Sequence, residues 1–159
     1  MDAMKSATTI FLVLCSIVVP NSSGVRADDA SAANVIKVVV VDFHSNDGRI
    51  NCALFSSAEG FPDNSAKAIK TANAGIENKQ ALCTFSGIAP GDYAVAVFHD
   101  ENSNGKLDRN FMGIPKEGVG ASNDAKGKFG APKFDDARFT YSGGLKTLTI
   151  HLRYLLAPL

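Results

Sequence analysis

The chain has 159 residues, 16 basic and 16 acidic side chains, a formal net charge of zero and no tryptophan. Charges so evenly balanced, with no basic run, exclude the concentrated positive face of a nucleic-acid binder. Aromatic packing must come from ten phenylalanines and three tyrosines.

In chain order, Lys5 followed by the apolar run from Ala7 to Val19 has the build of an export signal. Pro20 to Gly24 break any helix, and Val25-Arg26-Ala27 supplies aliphatic and small residues at the places of a cleavage site. The run is shorter than the roughly 20 apolar residues of a transmembrane helix. Cys15 follows Leu14 inside the run, where a lipoprotein cysteine would follow a small residue and end it, so it reads as part of the signal. Residues 1–27 are therefore expected to be removed, giving a secreted or periplasmic protein with no membrane span. What is left has 132 residues and a formal charge of −1, the size of one domain; a monomer is expected.

Residues 28–34 are small and polar and predict a mobile N-terminus. Val35 to Phe43 (VIKVVVVDF) predicts a central strand, and Arg49 to Phe55 alternates apolar and polar residues. The Asp47-Gly48 turn between them predicts a hairpin. Ser65 to Asn73 predicts one or two helical turns, capped by Asn64 or Ser65 and stopped by Gly75. Gln80 to Ile88 and Tyr93 to Phe98 predict strands, the second entered through Pro90-Gly91. Residues 99–133 are rich in Gly, Pro, Asn and Lys and predict a long loop, a feature usually functional or pinned by an ion. Ala137 to Tyr141 and Leu145 to Tyr154 predict a second hairpin across Ser142-Gly143-Gly144. About seven short strands without a βαβ unit make residues 35–159 an all-β domain, a single antiparallel β-sandwich with one long loop and one short helix.

Cys52 and Cys83 remain after signal removal. In an oxidising compartment an even pair favours a disulfide, the alternative being two buried thiols.

The segment with most chemistry is His99-Asp100-Glu101-Asn102-Ser103-Asn104-Gly105-Lys106-Leu107-Asp108. Asp100, Asn102, Asn104 and Asp108 carry side-chain oxygens, Gly105 allows a sharp bend, and Lys106 offers its backbone oxygen. This spacing matches the first nine places of a calcium loop of the EF-hand type, whose ion takes six to eight oxygens. The twelfth place, where an acidic residue closes such a cage, is Phe111. Glu101, Glu117 and Asp124 are the candidates to complete the shell. The alternative is a metal-free loop in which Asp and Asn side chains bond their own backbone.

The run GDYAVAVFHDENSNGKLDRNFMGIPKEGVGASNDAKGKFGAPKFDDARF resembles the exported bacterial proteins grouped as domain of unknown function 2141 (DUF2141). The preceding RINCALFSSAEGFP and the closing LTIHLRY are similar to the same family. The resemblance implies a β-sandwich of the prealbumin-like or adhesin B-type and implies no activity.

The three histidines, His44, His99 and His151, have no ligand spacing in sequence and read as surface or strand-end residues. His99, Asp100 and Glu101 could form a proton-transfer corner, yet neighbours on an extended chain point opposite ways. Two readings follow. The favoured one is a non-catalytic exported module that binds a ligand or an envelope partner, with calcium at residues 100–108. The other is a small exported hydrolase working through the His99/Asp100/Glu101 corner.

Overall fold

A computed structural model of the protein describes residues 34–156. The expected signal peptide and nearly all of the expected mobile N-terminus lie outside the described residues. Among the described residues there are eight strands, β1 (Val35–Val41), β2 (Arg49–Phe55), β3 (Lys70–Ala74), β4 (Ala81–Ser86), β5 (Gly91–Asp100), β6 (Val119–Ala121), β7 (Phe139–Tyr141) and β8 (Leu145–His151). One turn of α-helix, α1 (Phe134–Ala137), and two 3₁₀ turns, Ser65–Lys67 and Ser122–Asp124, complete the elements. The strands form one sheet in the order β4-β1-β8 and a second in the order β3-β2-β5-β6, with β7 also paired to β5.

Alternation in the sequence sets which face each strand buries. Ile36, Val38 and Val40 of β1, Ile50, Cys52 and Leu54 of β2, and Val95 and Val97 of β5 meet in one core fed by both sheets. Fully burying each large aliphatic side chain contributes roughly 1.5–3 kcal/mol. A slip of β1 by one residue would turn Lys37 inward, so these positions also fix the register. The two cysteines are buried in this core and form a disulfide, Cα–Cα 6.6 Å, that ties β2 of one sheet to β4 of the other.

Both expected hairpins are corrected. β1 pairs with β4 and β8, whereas β2 pairs with β3 and β5, so Asp47-Gly48 carries the chain from one sheet to the other. Gly48 has φ +69°, and a Cβ there would stand 2.0 Å from the Asp100 carbonyl oxygen. The turn signal is real, but it serves a crossing that brings β2 tightly onto the end of β5. Likewise β7 pairs with β5, and β8 pairs with β1 in parallel across seven residues. A parallel pair needs a long connection, which almost the entire chain supplies, and the sheets are therefore not purely antiparallel.

Two element assignments also change. The expected helix over 65–73 is a single 3₁₀ turn capped by the Asn64 side chain, followed directly by β3. Pairing with β2 and packing of Ala72 and Ala74 on the core override a weak helical preference. The expected loop of 99–133 contains β6, too short and too rich in Gly and Ala to show a period. Where β6 ends, buried Ser122 accepts a hydrogen bond from Val95 N at 2.9 Å and keeps that strand group satisfied.

The outer face of the larger sheet carries small residues. Ala53, Ala94, Ala96 and Ala121 are covered by Phe55, Phe61 and Phe134, whose rings meet edge to face at 5.4 and 5.8 Å. Beside this cap the sheet is left bare, and a groove of about 1030 Å³ opens there.

Candidate functional site

β5 ends in the sequence His99-Asp100-Glu101, and extended backbone sends alternate side chains to opposite faces. Asp100 points to the loop that follows it, and His99 and Glu101 point together to the other side. The supposed three-residue corner is thus two separate clusters.

On the Asp100 side, the carboxylate is fully buried. Its oxygens accept from Asn104 N and Gly105 N, both at 2.9 Å, from Arg49 Nε at 3.2 Å and from Asn51 Nδ2 at 3.3 Å. Burial alone would raise its pKa, but these donors together hold the carboxyl below its ordinary value. Asn102 and Asn104 both donate through Nδ2 to the Asp108 carboxylate, at 2.7 Å and 3.2 Å. Asn104 Oδ1 accepts from Lys106 N at 2.7 Å. The loop is a set of turns in which Asp100, Asn102, Asn104 and Asp108 bond one another or the loop's own backbone.

Of the three residues considered for completing the shell, one reaches the loop. Glu117 is 4% exposed, and its two oxygens accept from Glu101 N at 3.0 Å and Asp108 N at 2.9 Å, bracing the loop's ends. Burial, with Asp108 and Asp100 adding their negative charges, pushes its carboxyl above the ordinary value despite those two donors. Glu101 turns away to the histidines, and Asp124 Oδ1 accepts from His151 N at 3.0 Å. Phe111, at the twelfth place, is 97% exposed.

On the other side, His99 stands at a strand end, as one of its two expected placements has it, but it is fully buried and not a surface residue. Nδ1 stands 2.7 Å from the Tyr154 hydroxyl and Nε2 stands 2.7 Å from the Asp47 carbonyl oxygen. His44 stacks on Tyr154 with ring centroids 4.0 Å apart and puts Nε2 3.0 Å from Glu101 Oε1. Gly118 makes room for this arrangement, since a Cβ there would meet the Tyr154 ring at 2.6 Å. Burial pushes the Tyr154 phenol up to about 12. His44 and Tyr154 are remote in sequence from His99 and Glu101, so spacing could not reveal the cluster; only the pairing of His99 with Glu101 at i, i+2 on a strand was readable.

His151 is isolated from both clusters and forms an exposed pair with Asp42 at 2.7 Å. That hydrogen bond holds the imidazole above its ordinary pKa of 6.5. Its stabilising effect is present below the unfolded value and is lost as pH rises through the folded one. An NMR titration should place the His151 midpoint above 6.5, and Asp42→Asn should return it there.

The groove is next to the loop. Its floor includes Asn51, Ala53 and Ala96, and one wall is the segment 105–115 that leaves the loop. Met112, Phe129 and Leu155 line it and are more than half exposed, an unusual display of apolar surface.

The family described as "Uncharacterized protein conserved in bacteria (DUF2141)" matches residues 38–149. The chain belongs to the DUF2141 family. The match covers every strand from within β1 into β8, including the loop and Glu117. No curated protein and no solved structure matches the chain. The activity of DUF2141 proteins is uncharacterized, so the reading of this member rests on its own geometry. No helix among the described residues is long and apolar enough to cross a membrane.

Proposed function

We propose that this DUF2141 protein is an exported, non-catalytic β-sandwich module of the prealbumin-like or adhesin B type. It binds a ligand in the groove on its larger sheet, and calcium in the 100–108 loop orders the wall of that groove. One observation carries the reading: Glu117, almost fully buried, accepts from Glu101 N and Asp108 N at the two ends of the loop and so sets its carboxylate beside those of Asp100 and Asp108. Three carboxylates are drawn together, and Arg49 is the bonded cation that offsets one of them. The remaining charge matches a divalent cation. Asp100, Asn102, Asn104 and Asp108 carry side-chain oxygens, Lys106 its carbonyl and Glu117 the acidic group that Phe111 does not provide, a set suited to calcium once Asn102 and Asn104 turn their amide oxygens in place of Nδ2 toward Asp108.

The groove supports the binding role, with small side chains on its floor and apolar ones along its rim. A disulfide fits an exported chain. The reading as a hydrolase has less support, because Asp100 points away from His99 and both nitrogens of that ring are occupied.

Calorimetric titration of the purified protein should show one calcium ion with a dissociation constant of about 10⁻⁴–10⁻³ M. Glu117→Gln should weaken it at least tenfold. An affinity equal to that of the native protein would remove Glu117 from the site.

A further inference from the structure

The second cluster at the end of β5 has a different chemistry. Glu101 Oε1 is enclosed and accepts no hydrogen bond. Two ring nitrogens face it, His44 Nε2 at 3.0 Å and His99 Nδ1 at 3.7 Å. An enclosed carboxylate oxygen between two imidazoles is held apart from any donor geometry that would satisfy it.

We infer that His44, His99 and Glu101 form a binding site for one divalent transition-metal ion of the zinc class. The ligand atoms all lie within 4.8 Å of one another. A tetrahedral ion with bonds of about 2.0–2.1 Å sets its ligands about 3.3 Å apart, and the separations of 3.0 and 3.7 Å bracket that edge.

The tautomer of His99 agrees. A carbonyl oxygen can only accept, so the 2.7 Å contact with Asp47 O assigns the proton to Nε2 and makes Nδ1 the acceptor that faces the cluster, where it now takes the Tyr154 hydroxyl proton. A ligating histidine whose other nitrogen donates to a backbone carbonyl is the usual way such a ring is oriented. Both rings are already held: His99 lies edge-on to Phe43 at 5.0 Å, and His44 is stacked on Tyr154. The Tyr154 hydroxyl, 2.7 Å from His99 Nδ1, must turn its proton away for an ion to bind there, and it then borders the ion's fourth position. Access from solvent is through His44 and Glu101, whose side chains are 38% and 32% exposed.

Ligand type selects the ion. Two imidazoles with one carboxylate suit zinc and its neighbours, whereas calcium takes oxygen ligands and more of them. The inference is therefore independent of the calcium reading of the opposite face, and the two ions can be tested together.

The test is calorimetric titration of the chelator-stripped protein with zinc chloride in millimolar calcium, which keeps the 100–108 loop from competing. One zinc ion per chain is expected. His44→Ala and Glu101→Gln, at partly exposed positions where the fold should survive, should each weaken binding at least tenfold while the amide NMR spectrum stays folded. The ¹⁵N signals of the native protein should show zinc on His99 Nδ1 and on His44 Nε2. No zinc binding, affinity unchanged in both variants, or ¹⁵N shifts at neither histidine would overturn the site.

Discussion

Replacing both Cys52 and Cys83 with alanine is expected to lower the melting temperature by about 15 °C. The disulfide closes a loop with a sequence separation of 31. In the chain-entropy picture, opening a loop of that size releases the unfolded chain by roughly 3–4 kcal/mol. For a domain of this size each kcal/mol is worth about 4 °C. The crosslink joins the central part of β2 to β4, so it also fixes how the two sheets face one another. Alanine leaves little polar cost, since both sulfurs lie among apolar neighbours. A double variant melting within about 3 °C of the native protein would show that packing alone holds the sheets together.

Asp100→Ala should cost about 3 kcal/mol in calcium-free buffer, measured by urea unfolding. The substitution strands two backbone N–H groups, an amide and the Arg49 guanidinium that all now bond one buried carboxylate. Hydrogen bonds to charged groups are worth roughly 1.5–3 kcal/mol each. Arg49 is 40% exposed and recovers water, which keeps the total well below the sum. Because its pKa is lowered in the fold, the Asp100 contribution is present above the unfolded carboxyl value and lost as pH falls through the folded one. Glu117 has the opposite sign: its raised pKa favours the fold below the unfolded value, and that contribution is lost as pH rises through the folded one. Acid titration of Asp100→Ala should accordingly lose less stability on the way down than the native protein.

Six of the eight strands, all but β3 and β6, were legible because apolar patterning is a local signal. Ile50, Cys52 and Leu54, and Ala81, Cys83 and Phe85, share inward faces as their period of two requires. Their partners were not legible. Asp47-Gly48 has the chemistry of a hairpin turn, yet whether the next strand folds back or crosses to the other sheet is decided by the distant Asp100 backbone that Gly48 approaches. The parallel pairing of β1 with β8 links the two ends of the chain, where no local pattern can act. The same division holds for the sites. The calcium-type loop is contiguous and could be read from spacing; Glu117 was one of three candidates until the fold brought it under Glu101 and Asp108. His44, His99 and Tyr154 come from a turn, a strand and the segment after β8, and their meeting is a product of tertiary structure alone.

The most direct test of the calcium-ordered module is a pair of melting curves, one in 10 mM calcium and one in excess chelator. With a dissociation constant near 10⁻⁴ M, that concentration is about a hundredfold excess and stabilises the fold by about 2.7 kcal/mol. The melting temperature should therefore rise by about 10 °C in calcium, by less in magnesium, and not at all in Asp100→Ala. Superimposable curves for the native protein in calcium and in chelator would contradict the account, leaving residues 100–108 a loop held by its own hydrogen bonds.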